Sequence, residues 1–210
     1  MDGTLLDTEP LAARAWGEAA DALGVGFDPA LALTLVGRNF ADCSRLLRGH
    51  FGVDYPTEAL LDSWHATYDG IVAREGVAVK EGVHALLDWL DAASIPRAIA
   101  TSTRRDRAEA KLAHAALLSR FDAVVGGDEV ARGKPAPDIF LVAAERLGVP
   151  ASACVVLEDS DAGVLGALAA GMTPIMIPDL CAPSREVVRT GTLVVDSLHE
   201  ALAHLASLPR

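Results

Sequence analysis

Two adjacent carboxylates, Glu158 and Asp159, stand in the run Glu158-Asp159-Ser160-Asp161, between an apolar stretch and a helical one. A helix N-cap accounts for an Asp or a Ser there, because either side chain accepts bonds from the free amides of a first turn. Two neighbouring carboxylates exceed what a cap requires, and hard oxygen donors suit Mg2+. Three other short polar groups accompany them. Asp2-Gly3-Thr4 reads alone as a turn, and Thr101-Ser102 as turn residues ahead of a helix. Lys134 lies in Gly133-Lys134-Pro135 and is one of three lysines, with Lys80 and Lys111. A loop lysine is ordinarily solvated, but the flanking Gly and Pro fix this loop. Carboxylates for a hard cation, hydroxyls and one held ammonium are the means by which a site could hold an anion.

The elements that would position these groups follow from periodicity. Short apolar runs fall at Arg97–Thr101, Phe121–Val125, Ala153–Leu157, Pro174–Ile177 and Leu193–Val195, separated by helical segments of about 10–15 residues. This alternation predicts a parallel sheet covered on both faces, an α/β doubly wound, Rossmann-like core. Such a core binds ligands beyond the carboxyl ends of its strands. Thr101-Ser102, Gly127-Asp128 and Glu158-Asp159-Ser160 each follow a strand in this reading. From Glu9 to about Arg74 the pattern is helical instead, with breaks at Gly24-Val25-Gly26, Asp28-Pro29, Gly37 and Tyr55-Pro56-Thr57. The expected division is residues 1–8 and 79–210 for the core and 9–78 for an inserted helical subdomain.

Composition narrows the partners. Acids outnumber bases 29 to 18, for a net charge of -11. That balance disfavours nucleic acid and anionic membranes, since holding a polyanion takes a basic face. An acidic chain that handles phosphate needs a metal and a few well-placed cations. Cys43, Cys154 and Cys181 show no CxxC or Cys/His spacing and read as reduced thiols. With no basic, apolar leader and no long apolar span, the expectation is a cytoplasmic protein, a monomer or weak homodimer.

Taken in order, the four polar groups resemble the four motifs of haloacid dehalogenase-like hydrolases. The flanking phrases agree: Met1-Asp-Gly-Thr-Leu-Leu-Asp-Thr-Glu-Pro10, Ala98-Ile-Ala-Thr-Ser102, Gly133-Lys-Pro-Ala-Pro-Asp-Ile-Phe140 and Val156-Leu-Glu-Asp-Ser160. The likeness is to the subgroup with a helical cap inserted after the first motif, that of β-phosphoglucomutase, phosphoglycolate phosphatase and pseudouridine-5'-phosphatase. It implies a Mg2+-dependent phosphatase acting on a small phosphorylated metabolite through an aspartyl-phosphate. In it Asp2 would be the acid/base residue. Mg2+ would be held by the nucleophile, the main-chain carbonyl of Asp2 and Asp159, with Glu158 a ligand or a residue behind the ligands. Lys134, Thr101 and the amide of Ser102 would bind the phosphoryl group.

Two departures qualify the likeness. The first motif should read Asp-x-Asp-Gly-Thr, and here Met1 occupies x. The nucleophile is therefore expected ahead of Met1, in a central first strand that is absent from the chain as given. The expected cause is an internal Met taken as the start, the full protein being about 5–10 residues longer. The alternative is a truncated, catalytically inactive phosphate-binding protein. In the cap, Ala12 stands where the mutases of this group carry a histidine, and Phe40 falls near their arginine position. Hydrolysis is thus expected over the sugar phosphomutase alternative. Arg14, Arg38, Asn39 and Arg45 are candidate substrate contacts, or equally solvated helix faces. His65 and Asp69 share a helix face but read as a surface pair.

Overall fold

The structure, a computed structural model, describes residues 1–35 and 40–208, and the chain forms two compact units. Residues Thr8–Val77 make up one, and Met1–Asp7 with Ala78–Arg210 the other.

The inserted unit is helical: α1 (Glu9–Leu23), α2 (Pro29–Leu35), α3 (Phe40–Phe51) and α4 (Thr57–Glu75). In α1 the buried residues Ala12, Ala15, Trp16, Ala19 and Ala20 repeat at three- and four-residue intervals, giving one apolar face. Pro10 sits in the first turn, and Gly24 ends the helix in the left-handed conformation. That face packs on α4, where the Trp16 and Trp64 rings stack with centroids 5.1 Å apart. Leu35, Leu47, Leu60 and Leu61 complete this core. The break at Asp28-Pro29 falls where α2 begins, whereas Gly37, Arg38 and Asn39 lie outside the described residues.

The other unit has the parallel α/β core. Its strands are β1 (Leu6–Asp7), β2 (Ala78–Val79), β3 (Ala98–Ala100), β4 (Ala123–Val125), β5 (Val155–Glu158), β6 (Thr173–Met176) and β7 (Leu193–Val194). Between them run α5 (Val83–Ala92), α6 (Arg105–His114), α7 (Asp138–Leu147), α8 (Asp161–Ala169), α9 (Arg185–Arg189) and α10 (Leu198–Ser207). β3 and β4 pair in parallel, with Ile99 opposite Val124. β5, β6 and β7 form a second parallel group, with Leu157 opposite Ile175 and Ile175 opposite Leu193. Helix α7 packs on the first group and α8 on the second. β1 and β2 form a two-residue antiparallel ladder where the chain leaves and re-enters this unit.

The two parallel groups do not meet. β3 pairs only with β4, and β5 only with β6, among the described residues. Their free edges line one apolar cavity of about 730 Å3, walled also by Leu86, Phe140 and Ala144. With a rise of 3.3 Å, about 4.8 Å between strands and about 10 Å between layers, one strand residue fills roughly 160 Å3. The cavity thus has room for a short additional strand. The expected absence of a central strand is visible as this cleft between β3 and β5.

Candidate active site

Each polar group singled out in the sequence sits at the carboxyl end of a strand or beside one. Glu158 is the last residue of β5 and is buried. Ser160, not a carboxylate, caps α8: its hydroxyl accepts from the Gly163 amide at 3.1 Å. The Glu158 and Asp159 side chains are therefore free of capping and turn to other partners. A Cβ on Gly163 would run into the Glu158 carboxylate, so only glycine lets α8 start this close to β5.

Glu158 pairs with the Lys134 ammonium through Oε1, and Oε2 accepts from the Ser160 hydroxyl at 2.9 Å. Lys134 also donates to the Ala100 carbonyl at the end of β3, at 3.2 Å, with its ammonium 4.9 Å from the Phe140 ring centre. Burial works against the Glu158 charge, but Lys134, the Met1 ammonium and the Ser160 hydroxyl together keep the carboxyl below its ordinary value. With both oxygens engaged, Glu158 acts here as the holder of Lys134.

Asp159 is placed differently. Its Oδ1 accepts from the Thr4 hydroxyl at 2.8 Å, tying the first motif to the last. Gly3 packs so closely against Asp159 that a Cβ would overlap Oδ2, and its φ of +74° is itself a glycine conformation. Burial, followed by the neighbouring Glu158 charge, pushes the Asp159 carboxyl above its ordinary value, although the Met1 ammonium opposes this. A half-buried carboxylate whose side-chain partner is one hydroxyl is one that a cation would stabilise.

Asp2 is held at both oxygens. Lys111 Nζ lies 2.8 Å from Oδ1, and the Thr103 hydroxyl donates to Oδ2 at 2.8 Å. Burial again opposes the charge, and the Lys111 ammonium prevails, with that of Met1 adding to it, so the carboxyl stays below the usual range. Thr101 is buried, receives the Thr103 amide on Oγ1 at 3.2 Å, and donates its own amide to Val125. Ser102 beside it is exposed. Gly127 packs on the Ser102 backbone and donates its amide to the Thr103 carbonyl, while the Asp128 carboxylate accepts from the Arg105 amide at 2.8 Å, at the start of α6.

Lys134 and Glu158 thus meet directly, Asp2 reaches Thr101 through Thr103, and Asp159 reaches the first loop through Thr4. The sequence reading passed over Thr4, Thr103, Lys111, Lys80 and Asp179. Lys80 donates to the Gly3 carbonyl at 2.8 Å and pairs with Asp179, whose Oδ2 is buried without a hydrogen-bond partner and faces Gly3. One signal was available. The chain has fifteen arginines and only three lysines, and all three lysines serve this cluster.

The inserted unit's candidates are less uniform. Arg14 pairs with Glu75 at 2.6 Å and Glu18 at 3.3 Å, and Arg45 pairs with Asp42 at 2.8 Å. Arg38 and Asn39 lie outside the described residues. Ala12 is buried within the helical core. The His65 ring bonds to the Leu61 carbonyl one turn earlier, at 2.8 Å.

The family model of the haloacid dehalogenase-like hydrolases matches residues 1–171, and the chain belongs to that family. Its relatives are phosphatases, and it is itself an enzyme of that kind. It is 37% identical to fructose-1-phosphate phosphatase YqaB of Escherichia coli (strain K12), over 83% of this chain and 92% of that protein. Hexitol phosphatase A of the same organism is 35% identical over 84% of this chain and 80% of its own length. Among solved structures, CbbY from Rhodobacter sphaeroides in complex with phosphate superposes with a TM-score of 0.77, at 30% identity, covering 95% of this chain and 92% of that one. No helix among the described residues is long and apolar enough to cross a membrane.

Proposed function

We propose that the chain is a Mg2+-dependent phosphatase of a small phosphomonoester, a sugar, nucleoside or organic-acid phosphate, acting through an aspartyl-phosphate whose nucleophile precedes Met1. The observation that carries this reading is the convergence of Asp2, Thr101, Lys134 and Asp159 at neighbouring strand ends, held by Thr4 and Glu158. YqaB and hexitol phosphatase A, named for carbohydrate phosphates, favour a sugar or polyol phosphate within that class.

The residues fit a divalent cation of modest protein coordination. Among the described residues no group of three or more His, Cys, Asp or Glu side chains gathers to hold a metal. Mg2+ does not require such a cage, since it keeps several waters and takes one or two carboxylates. Asp159 and the Asp2 carbonyl would hold it, with the nucleophile. Bound there, the ion offsets the repulsion between an anionic substrate and a carboxylate nucleophile. Lys134 brings a fixed positive charge to the phosphoryl oxygens, and Glu158 holds that ammonium in place. Thr101 and the Ser102 amide donate to the same oxygens. Asp2 carries one proton through the cycle: as the carboxylate it takes it from the attacking water, and in the acid form it passes it to a leaving oxygen.

The mutase alternative is disfavoured by Ala12, a buried methyl where a proton-carrying side chain would be needed. To test the reading, the chain is extended before Met1 by an apolar strand of about five residues ending in Asp, and phosphate release from p-nitrophenyl phosphate and a panel of metabolite phosphates is followed with and without Mg2+. Mg2+-dependent turnover with free phosphate as sole product is expected. Phosphate transfer between two hydroxyls of a hexose phosphate would instead establish the mutase, and no turnover on any ester would leave a phosphate-binding protein.

A further inference from the structure

Lys111 lies in α6, 109 residues from Asp2 in the sequence, yet the two meet at 2.8 Å. It shares the buried side of α6 with Ala108 and Leu112 and is only 6% exposed. A lysine is almost never buried this far without a purpose for its charge. Neighbouring basic residues of α6 behave otherwise: Arg105 lies at the surface and pairs with Glu109 one turn on, at 2.8 Å. Net stability does not explain the pair, since a buried ion pair is commonly no better than apolar side chains of similar volume.

We propose that Lys111 is the positioning residue for Asp2, orienting its carboxylate in the reaction assigned to this site; the inference rests on the acid/base role of Asp2. The geometry makes the two carboxylate oxygens unequal. Oδ1 faces an ammonium, which carries donors only, so that oxygen cannot hold a proton while the contact lasts. Oδ2 faces the Thr103 hydroxyl, which can turn from donor to acceptor. Lys111 therefore fixes the carboxylate plane and leaves Oδ2 as the oxygen that passes the proton to and from the reacting oxygen atoms. Thr103 follows that exchange by rotating its hydroxyl. A carboxylate freed from Lys111 would lose its aim.

The test has two arms. In the extended chain carrying an Asp before Met1, Lys111→Met should lower kcat on p-nitrophenyl phosphate by about 10- to 100-fold, since small misplacements of a reacting group cost on this order. KM should change less than about twofold, because the Lys111 ammonium is engaged with Asp2 rather than placed to bind phosphate. Lys111→Arg should recover part of the loss by restoring a donor. Unchanged kcat in Lys111→Met, a loss confined to KM, or an Arg variant no better than Met would each overturn the proposal. In the 210-residue chain, urea unfolding of Asp2→Asn, Lys111→Met and the double variant reports the contact itself. Coupling of about tenfold or more in the unfolding equilibrium is expected, and additive effects overturn the proposal. If the Asp-bearing chain shows no turnover before Lys111 is changed, the phosphatase reading falls, and the unfolding cycle alone decides whether Lys111 holds Asp2.

Discussion

The Thr4 hydroxyl donates to Asp159 Oδ1 at 2.8 Å across 155 residues of sequence, and it is the direct tie between the first and last polar loops of the site. Thr4 is 3% exposed, so the donor itself is withdrawn from solvent. Thr4→Val keeps the shape and removes the donor. Leaving a buried acceptor unpaired costs about 1–3 kcal/mol. Urea unfolding of the variant should show a loss in that range, and a loss below about 0.5 kcal/mol would mean the bond contributes nothing net.

Gly3 supports the same junction from the backbone. With φ at +74° and Asp159 Oδ2 where a Cβ would lie, Gly3→Ala meets both a strained conformation and an overlap. Destabilisation above about 1 kcal/mol is expected from the conformation alone. The control is Gly17→Ala, on the surface of α1 with nothing near its Cβ position, which should be neutral to stabilising.

Much of this site could be read from the sequence because its residues occupy predictable places. Thr101, Glu158 and Asp159 follow apolar runs that can only be buried parallel strands, and a parallel sheet presents one polar rim. Lys134 was legible from the Gly and Pro that brace it. Lys111 and Thr103 were not, because α6 looks like any amphipathic helix and its partner Asp2 lies a hundred residues away. The β1–β2 ladder was missed for a different reason: two residues per strand leave no alternation to detect. α9, at five residues, is likewise too short to show a period.

Glu129 gives the clearest pH dependence. Its carboxyl is lowered to about 2, first by the Arg146 guanidinium at 2.5 Å and then by the Gly126 amide at 2.8 Å. A folded-state pKa below the ordinary 4.5 means that the contribution is complete above about 4.5 and is lost as pH falls toward about 2. Glu129→Gln removes the charge and should lower the melting temperature at pH 7. The gap between parent and variant should narrow as pH drops from 5 toward 3. A gap that stays constant or widens on acidification would contradict this linkage.

The cleft between β3 and β5 has apolar walls, and a protein with a complete core does not bind apolar dyes strongly. The native chain should therefore enhance the fluorescence of an anilinonaphthalene dye at neutral pH, without loss of its helical circular dichroism. Ala144→Phe, which extends a ring from α7 into the cleft, should reduce that enhancement. Equal dye binding by parent and variant would place the dye elsewhere.

The Lys134–Glu158 pair bears the sharpest energetic test, because both side chains are more than nine-tenths buried. Lys134→Met leaves Glu158 as a buried charge with only the Ser160 hydroxyl and amide on its Oε2. Removing one partner of such a pair costs about 3–5 kcal/mol, most of it from the charge left behind. Glu158→Gln should cost less, because the Ala100 carbonyl still accepts from Lys134 and the amide keeps the volume. The double variant, Lys134→Met with Glu158→Gln, contains no stranded charge. It should therefore be more stable than Lys134→Met alone, in spite of carrying one substitution more. Urea unfolding of the four proteins decides the point. A double variant weaker than both singles would show that the charge on Lys134 matters for something other than Glu158, and the phosphoryl-binding role would then have to be tested apart from the pair.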